Sequence, residues 1–188
     1  GTRIIQAGGN AIDAGVATVF AAAIVEISHF GFGGEAPTII YDAKSGKVVV
    51  INGQGPAPRA ATPELFSAQG YVDGNGPLAA TLPAVMDAMA LALQHYGTMR
   101  LAEVMAPAIE YADGFPMYGF LRTLMLAHRQ ATERWEWSKR TYYPDAEVCQ
   151  VGEIFRQPNL AATLRAIVAA EQTATARGDD RDQAIRAG

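Results

Sequence analysis

The segment Gly8-Gly9-Asn10-Ala11-Ile12-Asp13-Ala14, which opens an almost chargeless stretch, constrains this chain more than any other. Ile4 and Ile5 run into two glycines, and glycine takes the left-handed geometry that closes a helix. Asn10 is then placed to cap the next helix. Asp13, at the third helical position, suits the exposed N–H groups and the positive end of the helix dipole. Downstream, Ile12, Val16, Val19, Phe20, Ala23 and Ile27 recur at helical spacing, with Ala14, Gly15, Ala17, Ala21 and Ala22 between them. A helix apolar on nearly every side is expected to be buried. Mean hydropathy is +0.05, and no apolar run reaches membrane length, so that burial belongs to a protein interior.

The chain has 188 residues, enough for one domain with a sizeable core. A formal net charge of -4 offers no basic surface for nucleic acid, which is not expected as a partner. Cys149 is the single cysteine, so neither an internal disulfide nor a multi-thiolate metal site is available. That leaves both a bacterial cytoplasm and a periplasm open. No signal peptide or transit segment stands in the sequence. Gly1 resembles the middle of a helix, so residues 1–188 are read as a fragment incomplete at both ends, and a lost leader stays open.

Two strands are expected at Thr38 to Tyr41 and Lys47 to Ile51, paired antiparallel through the hairpin loop Asp42-Ala43-Lys44-Ser45-Gly46. Asn52-Gly53-Gln54-Gly55-Pro56-Ala57-Pro58 is too rich in glycine and proline for regular structure. Thr62 caps a short helix through about Ala68, with Pro63 in its first turn, and Gly70 to Gly76 is expected to loop. From Pro83 a helix carries Val85, Met86, Met89, Leu93 and Tyr96 to a stop at Gly97. The next presents Leu101, Val104, Met105, Ala108, Ile109 and Ala112, interrupted by Pro107 and stopped by Gly114. Weaker helices are expected over Tyr118 to Trp135 and Asn159 to Ala170, and from Thr173 a polar tail.

Taken one by one, the reactive residues assemble no catalytic set. Gly31-Phe32-Gly33-Gly34-Glu35-Ala36 fits the letters of the dinucleotide fingerprint, but that motif needs a strand before it and a helix after it. Here the order is inverted, and close backbone approach at a turn is the simpler reason for the glycines. His29, His95 and His128 are too widely spaced for a metal pair, and no metal or cofactor is expected. His29 beside the glycine turn is read as turn packing. Ser28, Ser45, Ser67 and Ser138 lack a nucleophile elbow, and Cys149 lacks an activating neighbour. Trp135, Trp137, Tyr142 and Tyr143, interleaved with Arg134, Lys139 and Arg140, are read as a loop packed over the core, with a partner surface as the alternative.

Read in order, several segments resemble one family. They are Ile4 through Ala14, the Gly31 to Gly34 turn with the strand ending Tyr41-Asp42, Ala57-Pro58, Ala61-Thr62-Pro63 and Gly76-Pro77-Leu78. Tyr96-Gly97-Thr98, Ala106-Pro107-Ala108-Ile109, Gly114-Phe115-Pro116 and Gln157-Pro158-Asn159-Leu160-Ala161-Ala162-Thr163-Leu164 complete the series. The series is similar to the gamma-glutamyltranspeptidase family of N-terminal nucleophile hydrolases, over nearly the whole chain. The resemblance implies an α+β class, four-layer αββα fold, of which this chain is the helix-rich front part of the large subunit. It further implies a precursor that cuts itself, exposing a threonine at the start of a small subunit. That hydroxyl attacks an amide carbonyl, its own amine serves as base, and the acyl-enzyme passes to water or an acceptor amine. The nucleophile then lies outside this chain, so no residue here is assigned as catalytic, and neither Thr2 nor Thr62 is that threonine. The partners implied are the small subunit from the same precursor and a small-molecule amide; a higher oligomer is left open.

One departure bears on substrate. Gamma-glutamyl enzymes carry an arginine-glutamate pair just before the Ala-Pro step, and that arginine grips the α-carboxylate of the glutamyl group. Here Gln54-Gly55 stands at those positions. Glutamine offers N–H donors without charge, forgoing a charge-assisted contact worth roughly 1.5–3 kcal/mol. The expected substrate-binding positions are therefore Gln54, supported by Gly53, Gly55 and Arg59. The glycine turn also departs, at Glu35-Ala36-Pro37. Together these changes suggest a divergent amidase or acylase whose substrate lacks the free glutamyl head group, as for family members acting on oxamate-like amides or cephalosporin side chains. Two alternatives stand beside it: ordinary gamma-glutamyl transfer from glutathione-type substrates, or a non-catalytic, unprocessed scaffold.

Overall fold

The protein is described by a computed structural model covering residues 1–69, 74 and 76–188. Those residues form two compact units, one of Gly1–Gly31 with Met89–Gly188, the other Phe32–Ala88. The sequence expectation for 70–76 lies largely outside the described residues.

The first unit is helical. It opens with α1 (Thr2–Gln6) and α2 (Ala11–Val25) and resumes in α4 (Val85–Tyr96), whose first turn belongs to the second unit. It continues through α5 (Leu101–Asp113), α6 (Gly119–Ala127), α7 (Arg129–Thr132), α8 (Glu136–Tyr142), α9 (Pro158–Arg177) and α10 (Arg181–Ala187). Two short strands, β3 (Phe115–Pro116) and β4 (Ile154–Phe155), pair antiparallel. In the second unit β1 (Thr38–Asp42) pairs antiparallel with β2 (Lys47–Ile51), followed by α3 (Pro63–Gln69).

The glycine–asparagine opening folds as its residues dictate. Gly8 takes φ +94°, its N–H bonds Ile5 O, and Gly9 N–H bonds Ile4 O, the paired bonds of a Schellman stop. Asn10 Oδ1 then accepts from the N–H groups of Ile12 and Asp13 at 2.8 and 2.9 Å, while Asp13 Oδ2 accepts from Asn10 N–H at 2.8 Å. This is a reciprocal capping box.

The same carboxylate reaches much further along the chain. Fully buried, it accepts from Thr98 N–H (2.8 Å), the Thr98 hydroxyl (2.7 Å) and Met99 N–H (3.0 Å), at the corner between α4 and α5. Asn10 Nδ2 donates to Tyr96 O at 2.7 Å in the same corner. Gly97 is glycine because a Cβ there would lie 2.6 Å from Asp13 Oδ1. At its far end α2 is held by Gln157 Nε2 on Ile24 O (3.0 Å) and the Tyr118 hydroxyl on Val25 O (3.0 Å).

Between these anchors α2 packs on α5, and α5 on α9. Phe20, Ile24, Leu101, Val104 and Met105 are fully buried, each contributing roughly 1.5–3 kcal/mol through removal from water. The N-terminus of α5 is capped in trans. Glu171, buried on α9, accepts from Leu101 and Ala102 N–H at 2.7 and 2.8 Å.

Several sequence expectations need correction. α2 is buried along one face only; Ala11, Gly15 and Thr18 are exposed in these residues. Pro107 does not interrupt α5, which runs continuously to Asp113, because burial of Leu101, Val104, Met105, Ala108 and Ala112 outweighs one missing main-chain bond. The stretch from Tyr118 breaks at His128, and the aromatic segment read as a loop is α8. Its residues divide: Tyr143 is buried and donates to Met125 O at 3.0 Å, whereas Trp137 is 75% exposed. The polar tail is helical to Arg177 and again in α10, which Asp180 caps.

Burial pushes the Asp13 carboxyl up, but its hydrogen bonds from Thr98, Met99 and Asn10 outweigh that and hold it below the usual carboxylate range. An acid held low in the fold stabilises it above its unfolded pKa of about 3.9 and loses that contribution as pH falls through the folded value. Asp13→Asn is expected to lower stability by about 2–4 kcal/mol at neutral pH in urea unfolding, the amide N–H₂ facing donors it cannot pair. The difference between wild type and variant should shrink as pH falls below about 4, and a gap independent of pH would disprove the charge assignment.

Candidate functional site

The second unit carries the expected substrate loop, and backbone geometry builds it. β1 and β2 pair with Thr38 opposite Ile51, and Asp42 Oδ1 and Oδ2 accept from Lys44 N–H and the Ser45 hydroxyl to close the hairpin. Beyond the regular strands Ala36 N–H donates to Gly53 O at 2.8 Å, which keeps the register of the Thr38–Ile51 pair. Gly53 takes φ +57°, and a Cβ there would sit 2.2 Å from Ala36 O. One residue past Gln54, a Cβ on Gly55 would lie 1.7 Å from Leu82 O. Leu82 N–H bonds Pro56 O at 3.1 Å and Ala84 N–H bonds Gly34 O at 3.0 Å. Three segments, Gly34–Pro37, Gly53–Pro56 and Leu82–Ala84, thus close on one another through main-chain bonds.

Gln54 stands in the middle of that junction, with its backbone pinned on both sides and its side chain exposed. Such a position is pre-organised: the chain holds the side chain out without spending side-chain contacts to do so. Gly53 and Gly55 are brought together with it. Arg59 is not. It sits exposed in the Pro58–Ala61 turn, closed by Ala61 N–H on Pro58 O at 2.8 Å, and among the described residues it makes no hydrogen bond or ion pair.

Exposure alternates along the hairpin with the period of a strand. Ile39, Tyr41, Val48 and Val50 are 74%, 67%, 67% and 66% exposed, and Ile40 and Ile51 are buried on the other side. Beyond the strands Glu35, Pro37, Asn52 and Gln54 are exposed as well. An apolar surface therefore grades into a polar end at the candidate site. Sequence reasoning flagged Glu35 as a departure without counting it among the substrate-binding positions.

Other groups of reactive residues have local tasks. Ser28 Oγ lies 2.9 Å from His29 Nδ1 and donates to Glu26 Oε1 at 2.9 Å. Hydrogen bonds from Ser28, His29 and Tyr118 hold the Glu26 carboxyl below its usual range. All of this closes the exposed turn after α2, with His29 and Phe30 N–H on Glu26 O. His29 stacks on Phe120 at 6.1 Å, so turn packing describes it. A Cβ at Gly31 or Gly33 would meet nothing within 4 Å, so close approach inside these residues is not what calls for glycine there. Among the described residues no cluster of His, Cys, Asp and Glu could hold a metal ion, and no helix is long and apolar enough to cross a membrane.

The helix-rich α+β architecture and the ordered motifs point to one class of protein. The family model described as gamma-glutamyltranspeptidase matches residues 1–179. The chain belongs to that family. It is 29% identical over 179 residues to the glutathione hydrolase proenzyme of Bacillus subtilis (strain 168), covering 89% of this chain and 30% of that protein. The gamma-glutamyltranspeptidase of Helicobacter pylori superposes with a TM-score of 0.83 at 32% identity, over 88% of this chain and 49% of that one. A cephalosporin acylase from Bacillus halodurans gives 0.81 at 30% identity, over 97% and 38%. The fold is the helix-rich part of the N-terminal nucleophile hydrolase architecture these proteins share.

The loop geometry separates backbone from side-chain roles. Gly55→Ala must displace Leu82 or the loop and is expected to lower the melting temperature by several degrees, whereas Gln54→Ala, at an exposed position, should shift stability by less than about 0.5 kcal/mol. Differential scanning calorimetry of both variants checks this; equal effects would refute the threaded junction.

Proposed function

We propose that residues 1–188 are the front part of the large subunit of a self-processed amide hydrolase and acyl transferase. Its nucleophile is an N-terminal threonine of a small subunit cut from the same precursor. The threonine hydroxyl adds to the substrate carbonyl and its proton passes to the threonine amine. The C–N bond then breaks as that proton reaches the leaving amine, and water or an acceptor amine cleaves the ester. Family membership supports the reaction class, and the proenzyme name of the Bacillus subtilis relative supports processing. The apolar hairpin face of Ile39, Tyr41, Val48 and Val50 is read as surface that the remainder of the precursor covers, since the chain spans only 30% of that relative.

The substrate is proposed to be an amide whose acyl part lacks the free glutamyl α-carboxylate. One observation carries this: the loop position pinned between Gly53 and Gly55 presents Gln54 where gamma-glutamyl enzymes present arginine. A neutral carboxamide provides no countercharge for a carboxylate. The likeness to a cephalosporin acylase fits an acyl part of another kind. The second reading, ordinary gamma-glutamyl transfer, draws on Arg59, which is exposed and makes no hydrogen bond or ion pair among the described residues.

In the full-length protein Gln54→Arg is expected to raise gamma-glutamyl anilide turnover about tenfold or more, the worth of one charge-assisted pair. No gain would count against the pocket assignment. A loss of wild-type gamma-glutamyl turnover in Arg59→Ala would favour the second reading. Mass spectrometry of the purified protein should find two chains, the smaller beginning with threonine; one uncut chain would sink the processing claim.

A further inference from the structure

Resting on the reading of Gln54 as a substrate contact, we propose that Gly55 is a positioning residue for substrate binding. It acts through Gln54, by its contact with the main chain of Leu82. Gly55 follows Gln54 directly, and only a residue without a side chain can approach Leu82 as it does. A Cβ on Gly55 would lie 1.7 Å from Leu82 O, 2.6 Å from Leu82 C and 3.2 Å from Leu82 Cα, whereas ordinary van der Waals contact begins at 3.4 Å. All three atoms belong to the main chain, so no change of rotamer relieves the overlap.

The other side of Gln54 is held as well. Gly53 takes φ +57°, a Cβ there would lie 2.2 Å from Ala36 O, and Gly53 O accepts from Ala36 N–H at 2.8 Å. Past Gly55, Pro56 O accepts from Leu82 N–H at 3.1 Å. The residues flanking Gln54 are therefore tied to two different segments, which restrains its main chain from both directions. Leu82 is itself anchored. Pro83 fixes its own φ and has no N–H to compete for acceptors. Ala84 and Val85 are buried. Ala84 N–H donates to Gly34 O at 3.0 Å, and Ala84 O accepts from Ala88 N–H at 3.0 Å as α4 begins.

A side chain at residue 55 must part these two main chains, and Leu82, held through Ala84 at the start of α4, is the less free to yield. The displacement falls on the residue next to Gln54. A misplacement on the order of 1 Å is enough to lose an oriented contact. Gly55 touches no substrate itself; it controls where the exposed Gln54 carboxamide meets the acyl group. Affinity and chemistry then separate. The proposed nucleophile belongs to the small subunit, so shifting Gln54 weakens substrate binding more than it slows bond breaking.

The test is a double-mutant cycle in the full-length protein, with butanoyl and gamma-glutamyl anilides as probes, well below the melting temperature. For the probe that wild type cleaves faster, Gln54→Ala and Gly55→Ala should each raise KM about threefold to tenfold, the worth of one hydrogen bond, with kcat within about threefold. The double variant should match the larger single effect within about twofold, because Gly55 acts only through Gln54. The gain of about tenfold expected of Gln54→Arg should likewise shrink to about twofold or less in Gly55→Ala, where the arginine is presented out of place. Effects that multiply in the double variant, an unchanged KM in Gly55→Ala, or an undiminished arginine gain would overturn the positioning role and leave the Gln54 reading standing. No effect of Gln54→Ala on either probe would instead bring down the Gln54 reading and this one with it, as would failure of wild type to cleave either probe. If Gly55→Ala does not fold, Leu82→Pro, which removes the N–H that bonds Pro56 O, takes its place in the cycle. Loss of folding in both would overturn the proposal, the junction then being structural alone.

Discussion

The first unit depends on one buried charge. Asp13 is fully enclosed, and an unpaired carboxylate there would cost several kcal/mol, so the fold must deliver donors to it. It does so from both sides. Asn10 N–H comes from the turn that starts α2, and Thr98 and Met99 come from the corner that starts α5. The carboxylate therefore fixes the start of one helix against the start of another, and α2 on α5 is the main helical packing of the unit. Gly97 follows from this arrangement, because any side chain there would collide with the carboxylate oxygen. So does the Schellman stop, which delivers Asn10 at the right point; a Cβ on Gly9 would lie 2.9 Å from Met99 Sδ.

Several motif segments that stand far apart in the sequence are therefore parts of one device. Gly8-Gly9-Asn10 and Tyr96-Gly97-Thr98 meet at the N-terminus of α2, and Gln157 meets its C-terminal carbonyls beside Tyr118. The first N–H groups of α2 are satisfied by its own cap, Asn10, and its last carbonyls by the distant Gln157 and Tyr118, which lowers the cost of its orphan backbone groups. The family resemblance is in large part a record of how one nearly chargeless helix is tied down.

How far each feature could be read from the sequence follows from its range. Asn10 and Asp13 make a capping box within one turn, so residue types at fixed spacing sufficed. The Thr98 and Met99 bonds to Asp13 span most of a hundred residues and leave no local mark. Pro107 was misjudged for the opposite reason: the local rule is strong, and only packing against α2 and α9 shows why α5 continues. The hairpin was legible to within one residue. The clash of Gly55 with Leu82 was not, since the partner is a main-chain oxygen and any residue type could supply it.

The two units solve the problem of precision differently, and the difference bears on how substrate choice can change. In the helical unit, position depends on named side chains, so exchanging Asp13 or Gly97 disturbs the fold. In the hairpin unit the junction is held by main-chain bonds and by the absence of side chains at Gly53 and Gly55. Nothing in that junction depends on what residues 35 and 54 are. Both are exposed and, among the described residues, make no hydrogen bond or ion pair, so exchanging them should alter stability by no more than about 0.5 kcal/mol. On the proposed reading of Gln54 as a substrate contact, exchanging it for a charged residue would alter the charge offered to a bound acyl group, where one ion-assisted contact is worth roughly 1.5–3 kcal/mol. A loop built this way lets the side chains it presents change while the scaffold stays as it was. That asymmetry gives a physical reason why a family scaffold can be plain throughout a chain in which the expected arginine is absent.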